Sequence, residues 1–140
     1  PDDLIPECDC TVADELLRPT RIYAETVQVL IREFHVGGMA HITGGGLKDN
    51  IPRILPSACQ ARLRKGSWQV PTIFSFLKEK ANISDSEMNR VFNNGLGFVL
   101  VVPDSELSEV LQLLNGLGER AFHIGTIHSR AEDDPPILFE

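Results

Sequence analysis

Cysteine is scarce in this chain: Cys8, Cys10 and Cys59 are the only three among 140 residues. An odd count excludes a framework in which every thiol is paired, and Cys8-x-Cys10 has no second pair to complete four zinc ligands. Reduced thiols in a cytoplasmic protein are the expectation. Positive charge is also short, with 13 Lys and Arg against 20 Asp and Glu, a net charge of −7 and a pI near 5.0. The summed field repels a phosphate backbone, which argues against nucleic acid as a partner. The densest basic stretch, Arg62, Arg64 and Lys65, reads as the outer face and exit turn of a strand. Long apolar runs are missing too. The longest, "GFVLVV" at 97–102, falls far short of the roughly 20 residues a membrane helix needs, and the N-terminus carries no charged-then-apolar leader.

What is present suits one core. A hydrophobic content of 42% in 140 residues points to a single domain over residues 1–140. The opening "PDDLIPECDC" reads like the interior of a longer polypeptide or the start of a truncated piece. Residues 1–13 are expected to be extended or disordered, as is the acid- and proline-rich "AEDDPP" at 131–136.

Tyr23, Val27, Leu30, Ile31 and Phe34 make one apolar stripe at helical spacing after Pro19-Thr20, and Gly37-Gly38 is read as its stop. Met39 to Thr43 reads as a buried strand that delivers the chain into "TGGGL". A short helix in "LKDNIPRIL" follows, with Pro52 tolerated only in a first turn or at a break. Cys59, Ala61 and Leu63 alternate with Gln60 and Arg62, the mark of a half-buried strand. Gly66 is expected to end it. Pro71 is expected to open a helix with Phe74 and Leu77 on one side, and Ser84-x-x-Glu87 spells a capping box for another over 85–92.

"NNGLG" at 93–97 is turn chemistry. Phe98 to Val102 reads as a central strand covered on both faces, and Leu107, Val110, Leu111 and Leu114 as a helical stripe closed by Asn115-Gly116. Ala121 to His128 is strand-like with Gly125 a candidate bulge, and "PILFE" suits a last edge strand. Helices and strands do not alternate strictly, so the expected class is α+β, a mixed β-sheet flanked by helices.

A strand, a glycine-rich turn and a helix start can make an anion site, because glycines let backbone N–H groups approach a phosphate closely. Gly44, Gly45 and Gly46 fit that order. Yet Leu47, Lys48 and Asp49 follow, so neither the GK[ST] ending of a P-loop nor a G-x-G-x-x-G fingerprint is present. A phosphate-contacting loop and a tight structural turn both stay open. Thr43 offers a hydroxyl; Asp49 and Asn50 offer polar contacts or simply cap the short helix. His41, without an acidic or nucleophilic neighbour in sequence, reads as a core histidine rather than a general base. His123 and His128 fall on opposite faces of a strand, which argues against shared metal ligation. Asn93 and Asn94 read as turn residues. No serine–histidine–acid order or paired catalytic carboxylates stand above background.

Three strings go further. "LLRPTRIYAETVQVL" at 16–30, "GMAHITGGGLKDNIPRILP" at 38–56 and "FNNGLGFVLVVP" at 92–103 resemble, in order and spacing, the C-terminal domain of the phosphoribosylformylglycinamidine cyclo-ligase family, also called AIR synthetase. The likeness runs from about residue 14 to residue 130. It implies a cytoplasmic enzyme of purine biosynthesis that uses ATP and Mg2+ to convert formylglycinamidine ribonucleotide to 5-aminoimidazole ribonucleotide. In the family's scheme ATP phosphorylates the formamide oxygen, and the amidine nitrogen then attacks that carbon and expels phosphate. Phosphorylation turns a poor leaving group into a good one, and the moving phosphoryl oxygens need charge stabilisation that backbone amides can supply.

The resemblance further implies a homodimer whose active site lies between two halves, the N-terminal half holding most of the ATP and metal. The chain matches the second half only and lacks the GxHSNGYSL string with which that domain usually begins, so alone it is expected to be inactive. Glu25 stands where the family commonly has lysine, and Asn94 where it commonly has cysteine. Carried over by position, Thr43, Gly44, Gly45, Gly46 and Asn50 are expected to face the cleft toward ribonucleotide or phosphate, with Arg21, Asn93 and Gly95 behind them. The catalytic residues stay unassigned, and no metal ligand is expected here. Two alternatives stand beside this reading: a non-catalytic dimerisation or docking domain, and a related ATP-dependent enzyme such as selenophosphate synthetase, whose family lacks "PTRIY" and "NIPRILP".

Overall fold

Two strand systems share one apolar core. In the computed structural model, which describes residues 4–5 and 10–140, short strands β1 (Leu4–Ile5) and β2 (Cys10–Thr11) pair antiparallel and lead into helix α1 (Val12–Leu16). Thr11 caps α1 in a reciprocal box with Asp14, satisfying donors that the first helical turn leaves open. Of the stretch expected to be extended or disordered, residues 1–3 and 6–9, including Cys8, lie outside the described residues. Val12 and Ala13 are helical.

Helix α2 (Ala24–Glu33) follows, then strand β3 (Gly38–His41), helix α3 (Gly46–Asn50), a 3-10 turn (Pro52–Ile54) and strand β4 (Cys59–Leu63). Helices α4 (Thr72–Lys80) and α5 (Asp85–Val91) precede strand β5 (Phe98–Val101). A 3-10 turn (Asp104–Glu106), helix α6 (Leu107–Gly116) and strands β6 (Gly125–Ser129) and β7 (Ile137–Phe139) complete the order. β3 and β5 pair antiparallel, while β4 lies between antiparallel β6 and parallel β7. The fold is thus α+β with a mixed sheet, as the element order implied.

Ala40, Ile42, Leu47, Ile51, Ala61, Leu63, Leu96, Val99 and Ile137 bury together between the two strand systems. Leu30, Val110 and Leu114 form a second cluster, joined by Phe34, Leu100 and Val102, that packs α2 and α6 onto the other face of β5. Both faces of β5 are therefore covered. Its place is not central, however, since among the described residues it pairs with β3 alone.

Several local expectations shift once packing is seen. Helix α2 stops at an extended Phe34, before Gly37-Gly38, and Ile31 points away from the core at 51% exposure. Pro71 is the N-cap of α4 rather than its first residue, and in α5 Ser84 accepts from the Glu87 N–H while the Glu87 carboxylate turns to Arg90. Gln60, expected on the polar face of β4, is buried. It donates to the Pro135 carbonyl and accepts from Arg62 Nε, as a buried amide requires. Pro135 belongs to the segment expected to be disordered. That segment is instead an ordered turn held by Arg130 Nε on the Asp134 carbonyl and by Asp134 N–H on the Ala131 carbonyl. Gly125 is not a bulge but the first paired residue of β6, opposite Leu63. A Cβ there would lie 2.0 Å from the Arg62 carbonyl oxygen. No helix among the described residues is long and apolar enough to cross a membrane.

Candidate functional site

The antiparallel register of β3 and β5 sets His41 opposite Phe98. Whatever leaves the end of β3 and whatever enters β5 must therefore emerge at the same edge. These are the loop Thr43–Gly46 and the turn 93–97, tied by the Ile42 N–H donating to the Gly97 carbonyl at 2.9 Å. Tyr23, from the first of the sequence strings, packs beside them against His41 and Phe98. Its ring lies 5.2 Å from that of Phe98 and 6.0 Å from that of His41. His41 is exposed in this ring cluster, which corrects its reading as a core histidine.

The three glycines differ. Gly44 is exposed, and nothing lies within 4 Å of the point where its Cβ would be. Gly45 adopts φ 97° as the N-cap of α3, with the Asp49 side chain 2.8 Å from a Cβ placed there. Gly46 is buried at φ 55°, and a Cβ would meet the carbonyl oxygens of Asn89 and Phe92 at 2.5 and 2.6 Å. Positive φ and close backbone approach are the two demands that glycine alone meets without strain. Gly46 thus lets α3 seat against the last turn of α5, just before Asn93.

Asn50 is 6% exposed, and its Nδ2 donates to the carbonyls of Gly46 (2.8 Å), Gly44 (3.3 Å) and Thr43 (3.4 Å). It braces the loop from within instead of facing a cleft. Asn50→Ala should lower stability by about 1–3 kcal/mol, since it removes the buried amide that donates to the carbonyls of Gly46, Gly44 and Thr43. Chemical denaturation of the variant measures this loss.

In the turn, Asn93 Oδ1 accepts from the Gly95 N–H at 2.9 Å, and Asn94 takes φ 50° with its Nδ2 on Asn89 Oδ1. The Asn94 carbonyl accepts from Trp68 Nε1. Gly95 is exposed at φ 92°, with Pro71 Cδ 2.3 Å from where a Cβ would fall. Arg21 is held by Glu119, Nε to carboxylate at 2.9 Å, and by the Gly118 carbonyl at 3.2 Å. Glu119 also accepts from Thr26 Oγ1. Arg21, Tyr23, Gly95, Gly97, Phe98 and Glu119 line a cavity of about 200 Å³. Burial, then the nearby Glu119 carboxylate, push the Tyr23 hydroxyl above its ordinary pKa. It therefore stays protonated at neutral pH.

Arg21 and Gly95 thus meet in one cavity, Thr43, Gly44 and Gly45 stand at the same end of the strand pair, and Asn50 and Gly46 are internal supports. Tyr23, Gly97 and Glu119 were not expected here. Tyr23 and Gly97 stand inside the quoted strings, and a Cβ on Gly97 would lie 2.1 Å from the Tyr23 hydroxyl oxygen. Glu119, distant in sequence from Arg21, carries no local signal. A larger apolar cavity of about 430 Å³ lies along β5, between residues 99–102 and 122–127, and contains none of the expected site residues.

Fold and site together define an α+β domain that presents a braced glycine loop, an asparagine–glycine turn and an anchored arginine at one end of a strand pair. The chain belongs to the family described as AIR synthase related protein, C-terminal domain, which matches residues 3–135. It is 56% identical over 126 residues to the phosphoribosylformylglycinamidine cyclo-ligase of Geotalea uraniireducens, covering 90% of this chain and 36% of that protein. The identity to the enzyme of the same name from Desulfatibacillum aliphaticivorans is 48% over 136 residues, 97% of this chain and 39% of that protein. For that of Syntrophotalea carbinolica it is 50% over 137 residues, 98% and 39%. The chain therefore spans under two fifths of the length of these relatives.

Proposed function

We propose that this domain is the C-terminal part of an ATP-dependent phosphoribosylformylglycinamidine cyclo-ligase, an enzyme of purine biosynthesis that closes the imidazole ring of 5-aminoimidazole ribonucleotide. The observation that carries the reading is the convergence of all three family-like strings at one end of the β3–β5 pair. In this reading Thr43 and Gly44 offer a hydroxyl and open backbone to phosphoryl or ribose oxygens, and Gly45 shapes the loop that presents them. Arg21 adds a guanidinium fixed in place by Glu119, so less freedom is lost when an anion docks. Gly46 and Asn50 hold the loop in shape, and Asn93 fixes the turn that carries Gly95.

ATP supplies the phosphoryl group that activates the formamide oxygen. Among the described residues no three His, Cys, Asp or Glu side chains could together hold a metal. The resemblance puts most of the magnesium binding in the N-terminal half, and no step here runs through it. The proposed setting is the cytoplasm, within a homodimer of complete chains. The test is reconstitution: joined to a matching N-terminal half, the domain should give ADP formation that depends on formylglycinamidine ribonucleotide, and the domain alone should give none. Absence of ADP from the joined protein overturns the proposal.

A further inference from the structure

The least expected surface lies just before α2. Residues 16–22 are all exposed, yet they include Leu16 at 62%, Leu17 at 81% and Ile22 at 84% exposure. Single exposed apolar residues are ordinary, but three within seven positions, at such exposure, mark a contact surface. The segment is not a loose tail. Arg18 pairs with Glu15 at 2.6 Å, Arg21 is held by Glu119 and the Gly118 carbonyl, and α1 before it is capped by Thr11. An ordered backbone that displays large apolar side chains to water is stabilised when something covers them.

We infer that the segment 16–22 is the seat for the part of the complete enzyme that lies outside this domain, packed against it within the same chain. The inference rests on the cyclo-ligase reading. Two observations select this occupant. Most of the length of the relatives lies outside the matched region, so a large body of protein is available to cover the patch. The patch is also continuous with the candidate site, because Arg21 is both part of the segment and part of the wall of the 200 Å³ cavity. A body seated on Leu17 and Ile22 closes the Arg21 side of that cavity and brings its own groups to it. A second copy of the domain fits less well. Two-fold contact sets a patch against itself, so a second copy would crowd a second set of the Arg18 and Arg21 side chains, 69% and 53% exposed, onto the same small surface.

The experiment uses the complete enzyme with a photoreactive benzoylphenylalanine in place of Ile22, and the same group in place of Glu132, an exposed residue of the 131–136 turn, as the control. Irradiation should join position 22 to a peptide from outside the 140 residues of the same chain, with no gain in mass on a denaturing gel, and the Glu132 control should not form this adduct. A band of doubled mass would assign the patch to a second copy, and no adduct beyond the control would leave it uncovered. Either result overturns the inference. A double variant, Leu17→Ser with Ile22→Ser, removes almost no packing within the domain and should still lower the Tm of the complete enzyme; an unchanged Tm counts against the seat. Both readouts are independent of turnover, so they stand apart from the ADP test of the cyclo-ligase reading.

Discussion

Gly46→Ala is expected to destabilise the domain by about 3–5 kcal/mol, enough to unfold a large fraction of it. Two independent causes add. The residue sits at φ 55°, where a side chain is strained. Its Cβ would also enter the space of two carbonyl oxygens, those of Asn89 and Phe92 at 2.5 and 2.6 Å, with the Arg90 carbonyl carbon at 3.1 Å. All three atoms are backbone, and none can swing away as a side chain would. Relief requires moving α3 away from α5, which disturbs the burial of Leu47 and Ile51, each almost wholly enclosed. Urea unfolding followed by circular dichroism measures the loss. A variant as stable as the parent would show that the seat of α3 on α5 is not needed.

Gly44→Val separates fold from function. Open space surrounds Gly44, so the substitution should leave stability within about 0.5 kcal/mol, the usual range for a surface change. In the complete enzyme it should lower turnover by about 100-fold, the order of loss when one backbone contact to a developing charge is removed. Gly45→Val would not discriminate as well. At φ 97°, with the Asp49 side chain in the way, it perturbs fold and loop together. Turnover of Gly44→Val equal to the parent's would assign all three glycines to the fold alone. Thermal unfolding and ADP release measured on the same preparation distinguish the outcomes.

Both predictions depend on a difference among three adjacent identical residues that no sequence pattern could rank. The string "TGGGL" announces a turn with unusual backbone demands. Which glycine touches the helix, which takes the left-handed cap and which stays open depends on where α5 passes, some 40 residues later in the chain. Asn50 is similar. An asparagine after a glycine loop suggests a cap or a ligand contact, and only the burial of its amide among the loop carbonyls makes it a brace.

Elsewhere periodicity served well where one face alone decides the pattern. The stripes of α2 and α6 do meet, through Leu30, Val110 and Leu114. It failed where tertiary partners override the local pattern. Gln60 on a nominally polar face is buried because the 131–136 turn folds over it. Met39 to Thr43 looked like a buried strand, yet Met39 and His41 are exposed on a two-stranded pair. The apolar run of β5 is explained by helices on one face and the core on the other, not by strands on both edges.

The sequence by itself determined the family, the α+β class and the segments that make up the candidate site, because these follow from short-range spacing and from strings long enough to be specific. Only the tertiary structure decided how those segments meet. Register between β3 and β5 is a long-range property fixed by pairing, and it alone sets the glycine loop beside the asparagine turn. The Arg21–Glu119 pair spans 98 positions, and no local rule reaches that far. Charge and volume must be matched in space before one glycine becomes open backbone and its neighbour a packing contact.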